Sequence, residues 1–326
     1  MPRQEADLAR WDGYWDASRK AKVDNVVLMP IPEANSRLAA LRSGQVDWIE
    51  VPPPDGIGSL KSAGFTITTG SYPHVWPWFY NIGAANSPFK DVRVRQALNY
   101  CIDRSAIVTL LNGTAEPSVG WLKPNDPAFG KPENRYTFDP AKGKKMLAEA
   151  GFTDKKPLSF KVMISTSGSG QMLPLPMNEA LQENLKQACG VDVQVEAVEW
   201  QVLLNAARAV PHDPSLKGAM ALNVSSPSSD VGMMFRYFAF ANSSPMGSNW
   251  EQWKDDKFED AMKTLSEATD QATIQKYFAM AHERLVDNPP WLFIVHDLNP
   301  RAFSKKVKGF VSPQSWFVDL TLVDLQ

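Results

Sequence analysis

Two alternating apolar segments that flank a single helix limit the fold of this chain more than any other feature. Residues 158–162 alternate between apolar and polar side chains and continue into the apolar residues 163 and 164, and residues 191–195 alternate again. A helical pattern lies between them and ends at Gly190. A strand, a helix and a strand at this spacing form a right-handed unit with two parallel strands. The sequence therefore predicts an α/β fold.

The length and charge of the chain narrow its function class. Its 326 residues suffice for about two domains. With 34 basic and 36 acidic residues the net charge is −2, which excludes a nucleic-acid binder held by bulk charge. No run of 18 apolar residues occurs, so we expect no transmembrane helix. The polar start of the chain lacks the apolar stretch of a secretory signal and, taken alone, indicates the cytoplasm.

Side chains that could carry catalysis or bind a metal are scattered along the chain. The histidines His74, His212, His282 and His296 have no metal-ligand spacing. The sequence also contains neither a nucleophile-elbow motif nor a phosphate-binding loop motif. It therefore gives no positive case for an enzyme, a metal site or a cofactor.

The two cysteines, Cys101 and Cys189, are too few for a disulfide framework or a cysteine zinc cluster. A helix is expected from Asp91 to about Asn112, and Cys101 lies on its apolar stripe. We therefore expect Cys101 to be a buried, unreactive thiol rather than a nucleophile.

An aromatic segment at residues 72–82 is the most distinctive local composition. If it is extended, Trp76, Trp78 and Tyr80 share one face, because side chains alternate along a strand. The small residues from Gly83 to Pro88 follow and are typical of a hinge or a domain boundary.

Four segments, in order along the chain, resemble one protein family. The longest, residues 88–104, reads PFKDVRVRQALNYCIDR. It resembles the signature of the family 5 extracellular solute-binding proteins, the peptide- and nickel-type receptors of bacterial ABC importers. Residues 37–47, 136–152 and 305–310 resemble three further segments of that family. The resemblance extends over almost the whole chain.

The resemblance implies an α/β fold with two lobes, of the periplasmic binding protein type (type II, cluster C), which close by a hinge around a ligand. We expect residues 1–88 to form a partial first lobe, residues 89–295 a complete second lobe, and residues 296–326 the return to the first. The connections are expected near residues 83–88 and 295–300. The family has a further N-terminal region that this chain lacks, so the first lobe should expose strand edges or apolar surface.

The resemblance also implies a function in solute uptake. The expected protein is the substrate-binding component of an ABC transporter, which captures a peptide or similar small polar solute and delivers it to the permease subunits. We expect a monomer without cofactor, metal, nucleic-acid partner or enzymatic activity. We expect it in the periplasm, because the missing signal would belong to the missing N-terminal region. Two alternatives stay open: a truncated fragment that does not bind ligand, and a hydrolase with an unrecognised site.

The strand that leads into the first connection is one expected wall of the ligand site. Tyr80 and Asn81 match the family's cleft-facing position just before that connection, and Trp78 is a third candidate. Aromatic walls supply a large contact area at low entropic cost. The alternative for Trp76 and Trp78 is packing in the core of the first lobe.

The second expected wall is the segment from Leu222 to Asp230, which includes Asn223. It matches a strand-end motif in which peptide receptors carry a tryptophan and then an aspartate that holds the α-ammonium group of the peptide. Here Leu222 and Ser225 occupy those positions. A hydroxyl cannot neutralise an ammonium group in a dry cleft, so α-amine recognition is either absent or supplied by Asp230. The expected ligand is then a sugar, an opine-like compound or a modified peptide. Trp250 and Trp253 are further cleft candidates, with core packing as the alternative.

Overall fold

The computed structural model describes residues 5–70, 74–166, 168–209, 211, 214–227, 230–313 and 317–326. Among the residues singled out above, His212 and the serines at 228 and 229 of the second expected wall lie outside this described part. No helix in these ranges is both long enough and apolar enough to cross a bilayer.

Helices and strands alternate along most of the described chain. The helices are α1 (Ala34–Ser43), α2 (Ile57–Ser62), α3 (Val92–Cys101), α4 (Arg104–Leu110), α5 (Pro140–Glu149), α6 (Pro174–Cys189), α7 (Trp200–Ala209), α8 (Val231–Phe238), α9 (Asp256–Glu267) and α10 (Gln271–Asp287). The strands are β1 (Ala6–Ala9), β2 (Asn25–Leu28), β3 (Trp48–Glu50), β4 (Thr66–Thr68), β5 (His74–Tyr80), β6 (Ala115–Pro117), β7 (Ser159–Ser165), β8 (Asp192–Val198), β9 (Ala221–Asn223), β10 (Ser226–Pro227), β11 (Trp291–Asp297), β12 (Arg301–Phe303), β13 (Val307–Lys308) and β14 (Asp324–Leu325).

The chain divides into two compact units. The smaller unit contains residues 1–72 and 298–326, and the larger unit contains residues 73–297. Strand β5 therefore belongs to the larger unit, together with the small residues that follow it. Gly83, at the start of the expected first connection, donates its backbone N–H to the carbonyl of Glu251 at 3.2 Å inside that unit. The lobe boundaries at residues 88 and 295 stay a prediction from the family resemblance.

One mixed sheet forms the centre of the larger unit. Its strands lie in the order β6-β11-β5-β9-β7-β8, and β10 also pairs with β5. β7 and β8 are parallel, and α6 connects them, which confirms the strand–helix–strand unit predicted from the alternation. α6 ends where Gly190 adopts a φ of 68°, a left-handed conformation that glycine takes without strain.

Aromatic side chains fill the core on one face of this sheet. Phe79 of β5 stacks on Trp291 of β11 with ring centroids 4.4 Å apart. Phe238 from α8 and Phe258 from α9 cover this pair, and both are fully buried. Phe258, Ala261, Met262 and Leu265 lie at helical spacing on one stripe of α9, and all four are buried.

The cysteines form a disulfide, so the expectation of a free buried thiol at Cys101 was wrong. Cys101 is the last residue of α3 and Cys189 the last residue of α6, and their Cα atoms lie 5.9 Å apart. The pairing spans 88 residues. The apolar stripe of one helix shows that a cysteine is buried, but it does not show which other helix end is its neighbour.

The long helix expected from Asp91 is also interrupted. Its backbone becomes extended at Ile102, and the Asp103 carboxylate then accepts hydrogen bonds from the N–H groups of Ser105 and Ala106 at the start of α4. Because aspartate is a strong N-cap, it starts a new helix at this point. The bend places the disulfide at the end of α3.

The smaller unit is built from short sheets. β3, β12 and β4 form one sheet, and the small core beside it includes Leu41, Leu60 and Ala302. β1 and β2 form a separate two-stranded ribbon. Several apolar side chains on or near this ribbon are exposed: Leu8, Trp11, Trp15, Val27, Leu28 and Met29. The partial first lobe stays a prediction from the family resemblance.

We expect the double variant Cys101→Ala/Cys189→Ala to lose about 4–5 kcal/mol of unfolding free energy, because the cross-link restricts an unfolded loop of 88 residues. Urea unfolding of the wild type and the variant measures this loss. Reducing agent should lower the stability of the wild type to that of the variant and leave the variant unchanged. Two titratable thiols in the unreduced wild-type protein would contradict the assignment.

We expect Gly143→Ala to destabilise the protein, although alanine is ordinarily the better residue inside a helix by about 1 kcal/mol. Gly143 lies on α5 against the disulfide, where a Cβ atom would overlap Cys101 Sγ and lie 3.1 Å from Cys189 Sγ. Overpacking of this kind costs roughly 1–3 kcal/mol. The loss should shrink in the Cys101→Ala background, which a double-mutant cycle by urea unfolding measures. An equal loss in both backgrounds would show that the disulfide is not the cause.

Candidate functional site

A proline in the middle of the central strand organises the region where the predicted ligand residues lie. β5 is buried along its whole length, and Pro77 is its fourth residue. Trp78 pairs with Asn223 on one side, and Val75 pairs with Ser226 further along the same neighbour. Proline has no N–H to donate, and at its level the pairing is interrupted between β9 and β10.

The strand on the other side of β5 is irregular at the same level. The register between β11 and β5 shifts between Leu292, which pairs with Trp78, and Val295, which pairs with Trp76. Both neighbours of β5 therefore depart from regular pairing around Pro77. Continuing the register of β9 places Ser225 across from Trp76, outside the ladder and half-buried.

A buried group of hydrogen-bonded side chains closes the gap on the β9 side. The indole Nε1–H of Trp78 donates to Asn178 Oδ1 at 2.6 Å, and Asn178 Nδ2 donates to Asn223 Oδ1 at 2.9 Å. Asn223 Nδ2 in turn donates to the carbonyl of Pro77 at 3.0 Å. We call Trp78, Asn178, Asn223 and Pro77 the asparagine cluster. Two residues predicted from sequence, Trp78 and Asn223, thus lie together, joined by Asn178, which the sequence analysis missed.

The described residues after β9 form the strand-end segment, defined here as residues 224–227 and 230. The indole of Trp121 donates to the carbonyl of Pro227 at 3.1 Å, which holds the segment in place. The Asp230 carboxylate is exposed and accepts the N–H of Met233 at 3.0 Å, so it caps α8. Within the segment, Ser225 is half-buried and Asp230 is exposed.

The aromatic residues of β5 face the interior. Trp76 and Trp78 are at most 1% exposed and pack in the core of the larger unit. Tyr80 is fully buried and stacks on Phe89 at 4.3 Å. Burial raises the pKa of the Tyr80 hydroxyl well above its usual range. As placed here, these three side chains offer almost no surface to a ligand.

Tyr80 and Asn81 also lie at the far end of β5 from Ser226. Five residues separate Tyr80 from Val75, the partner of Ser226, which corresponds to about 17 Å along a strand. Asn81 is buried there and donates Nδ2–H to the carbonyl of Pro211 at 3.1 Å. The structure therefore does not bring Tyr80 and Asn81 together with Ser225 and Asp230.

Trp250 lies on the other face of the sheet. Its ring is half-buried against Phe79, with centroids 5.6 Å apart. Trp253 is buried and donates its indole N–H to the carbonyl of Asn288 at 2.9 Å, which is the core packing weighed as its alternative. The two tryptophans thus support the core rather than join the strand-end segment.

Glu251, between these tryptophans, is a buried acid that no pattern in the sequence indicates. It is 1% exposed, and its Oε1 accepts the indole N–H of Trp291. Its Oε2 has no hydrogen-bond partner among the described residues. Burial raises the pKa of this carboxyl to about 8, so it is protonated at neutral pH.

The described histidines have no metal-binding geometry. His74, His282 and His296 are buried, and burial lowers the pKa of each to between about 3 and about 4. His282 accepts the N–H of Leu122 at 2.9 Å, which fixes its position. Within the part of the chain that the structure describes, no three potential ligand side chains come together as a metal site.

An open polar hollow of about 550 Å³ lies elsewhere in the larger unit, lined by residues that include Lys90, Arg95, Arg284 and Asp287. Its lining includes Trp253, one of the two further cleft candidates, and none of the other predicted ligand residues. Among those others, Asp230 is exposed, and Ser225 and Trp250 are half-buried.

Comparison with known proteins gives a consistent result. The family model described as "Bacterial extracellular solute-binding proteins, family 5 Middle" matches residues 1–276. The dipeptide-binding protein of Escherichia coli K12 is 26% identical over 306 residues, which cover 92% of this chain and 55% of that protein. The chain thus spans little more than half the length of this curated relative.

Solved structures share the fold. The periplasmic binding protein DppA of Helicobacter pylori, in complex with the peptide STSA, has a TM-score of 0.84 at 19% identity, over 99% of this chain and 60% of that one. The periplasmic binding protein AgaA of A. tumefaciens R10, in complex with agropinic acid, has a TM-score of 0.81 at 19% identity, over 100% of this chain and 65% of that one. Both of these structures contain a small bound ligand.

We expect Glu251→Gln to flatten the pH dependence of stability. The folded pKa of about 8 lies above the ordinary value of 4.5, so the stability that the neutral acid contributes is complete below pH 4.5 and is lost as the pH rises toward 8. For the wild type this loss amounts to about 3 kcal/mol between pH 5 and pH 8. Urea unfolding at several pH values measures it, with the exposed Glu267→Gln as control. Parallel profiles for Glu251→Gln and the wild type would contradict the burial of an uncharged acid.

Proposed function

Because this chain belongs to the family 5 bacterial extracellular solute-binding proteins, we propose that it is the substrate-binding component of an ABC importer. In this proposal it captures a peptide or a similar small polar solute and delivers it to the transmembrane permease subunits. The observation that carries the proposal is the family match over residues 1–276, together with a fold that superposes on ligand-bound receptors over nearly the whole chain.

The chemistry of the described residues supports binding without reaction. The buried histidines are neutral at physiological pH, and Glu251 is held as an uncharged acid beside Trp291. The strand-end segment presents a hydroxyl and a carboxylate, which suit hydrogen bonding to a polar solute. The ligand is then released unchanged.

The disulfide supports a location outside the cytoplasm. Structural disulfides form and persist in oxidising compartments such as the bacterial periplasm, whereas cytoplasmic thiols are kept reduced. The Cys101–Cys189 bridge therefore fits the periplasmic location that the family implies, and it outweighs the indication for the cytoplasm from the polar start of the chain.

The strand-end segment points to a ligand that does not depend on a free α-ammonium group. Ser225 occupies the position where the resemblance implies an aspartate, and a hydroxyl cannot neutralise an ammonium group away from water. Asp230 is the one carboxylate among the described residues of this segment, and it already accepts the N–H of Met233. A sugar, an opine-like compound or a modified peptide fits this arrangement, and a neighbour of the same fold is solved with agropinic acid.

We expect the protein to be stabilised by agropinic acid or by an N-blocked peptide more than by the free dipeptide Met-Leu. A ligand that binds only the native state at 100 times its Kd adds about 2.7 kcal/mol of stability, which thermal-shift measurements detect. No shift with any of these probes would favour the non-binding fragment, and turnover of any of them would favour the hydrolase.

We expect Ser225→Asp to raise the affinity for Met-Leu by about tenfold or more, because it restores a carboxylate for a charge-assisted hydrogen bond to the ammonium group. Calorimetric titration measures the affinity. Ser225→Asn has nearly the same shape without the charge and should leave the affinity unchanged. Asp230→Asn tests whether Asp230 supplies the contact instead. Tight binding of free dipeptides by the wild type would contradict the proposed ligand class.

A further inference from the structure

One side chain, Asn178, joins three elements of the larger unit. It lies on α6 and is fully buried. Its Oδ1 accepts from Trp78 on β5, and its Nδ2 donates both to Asn223 on β9 and to the carbonyl of Pro174 one turn earlier, at 2.7 Å. The hydrogen-bonding groups of this amide are thus used within the protein. An apolar residue of similar size could fill the volume, but it could not hold the two strands in this way.

The direction of every bond in the asparagine cluster is set by its two ends. The indole of Trp78 can only donate, so Asn178 must turn its oxygen toward it and its nitrogen toward Asn223. The carbonyl of Pro77 can only accept, so Asn223 must turn its nitrogen toward Pro77. One arrangement satisfies the whole cluster, which makes Asn223 a fixed point on β5.

This fixed point lies where the strand pairing fails. Asn223 is the last residue of β9, and pairing with β5 resumes only at Ser226. Ser225 lies inside this gap. Its position is therefore determined by Asn223 before it and by Ser226 after it, and not by pairing of its own.

We propose that Asn178 is a positioning residue for the ligand contact at Ser225. By holding Asn223 against Pro77, it sets where the strand-end segment leaves the sheet, while Asn178 itself is fully buried. The expected effect of Asn178 on ligand affinity rests on the proposed function. Its expected effect on the position of residues 223–226 does not.

Hydrogen exchange tests the local consequence without any ligand. In Asn178→Leu, amides of residues 223–226 should exchange about tenfold faster or more, because a lost buried hydrogen bond of this kind corresponds to roughly that factor. Amides of residues 291–297, on the other side of β5, should change much less. Leu185→Ala is the matched control, because it removes buried volume from the same helix without touching the cluster. Equal acceleration in both segments, or the same pattern in Leu185→Ala, would overturn the proposal.

Calorimetry tests the consequence for binding, using whichever of Met-Leu, N-blocked peptide or agropinic acid stabilises the wild type. Affinity should fall about tenfold in Asn178→Leu and change by less than about twofold in Leu185→Ala. Unchanged affinity in Asn178→Leu would overturn the role in positioning. If no probe binds the wild type, the proposed function fails, whereas the exchange experiment still decides whether Asn178 holds the segment. Asn178→Ser, which keeps one hydrogen-bonding group, replaces Asn178→Leu in both experiments if the leucine variant does not fold.

Discussion

The missing N–H of Pro77 is the constraint on which the arrangement of the larger unit depends. A proline in the centre of a sheet removes a ladder hydrogen bond and is ordinarily confined to edges or bulges. Here it lies in the strand between β9 and β11, and both neighbours change their pairing at its level. The Asn223 side chain supplies the donor that the carbonyl of Pro77 would otherwise lack from the ladder. The strand-end segment thus begins where the strand pairing is interrupted and the Asn223 side chain hydrogen-bonds to Pro77 in place of a backbone group.

Helix α6 connects the asparagine cluster to other elements of the larger unit. Near its first turn Asn178 bonds to both β5 and β9, and at its last residue Cys189 is bonded to α3. α6 is also the connection between the parallel strands β7 and β8, and it is bonded to the sheet near its start and to α3 at its end. Gly143 on α5 packs closely against this bridge, because the Cβ atom of a larger residue would overlap Cys101 Sγ. The order of the sheet and the position of the segment are therefore maintained by the same helix.

Local patterns in the sequence predicted the elements, but not their partners. Alternation over residues 158–162 and a helix ending at Gly190 were enough to predict the parallel strand–helix–strand unit, because these features are set by neighbouring residues. The disulfide joins residues 88 apart, and no local pattern carries that information. The same limit applies to β5, whose alternation showed which residues share a face but not that Asn178 and Phe89 cover it. Of the predicted ligand residues, Trp78 and Asn223 lie together, whereas Tyr80 and Asn81 lie at the far end of the strand.

The residues by which the family is recognised and those that select a ligand do different work. In the signature segment, Arg95 donates to the carbonyl of Pro289 at 2.8 Å, and Arg104 donates to the carbonyl of Phe293 at 3.0 Å. Both guanidinium groups are buried and bond to backbone and amide oxygens that secure β11 and the turn before it. Replacing either one would leave these acceptors unpaired in the core, which is costly in any receptor of this fold whatever its ligand. Ser225 differs from these arginines, because it lies outside the ladder and is only half-buried. If Ser225 contacts the solute as proposed above, the residue at this position can change the class of solute while the fold keeps its signature.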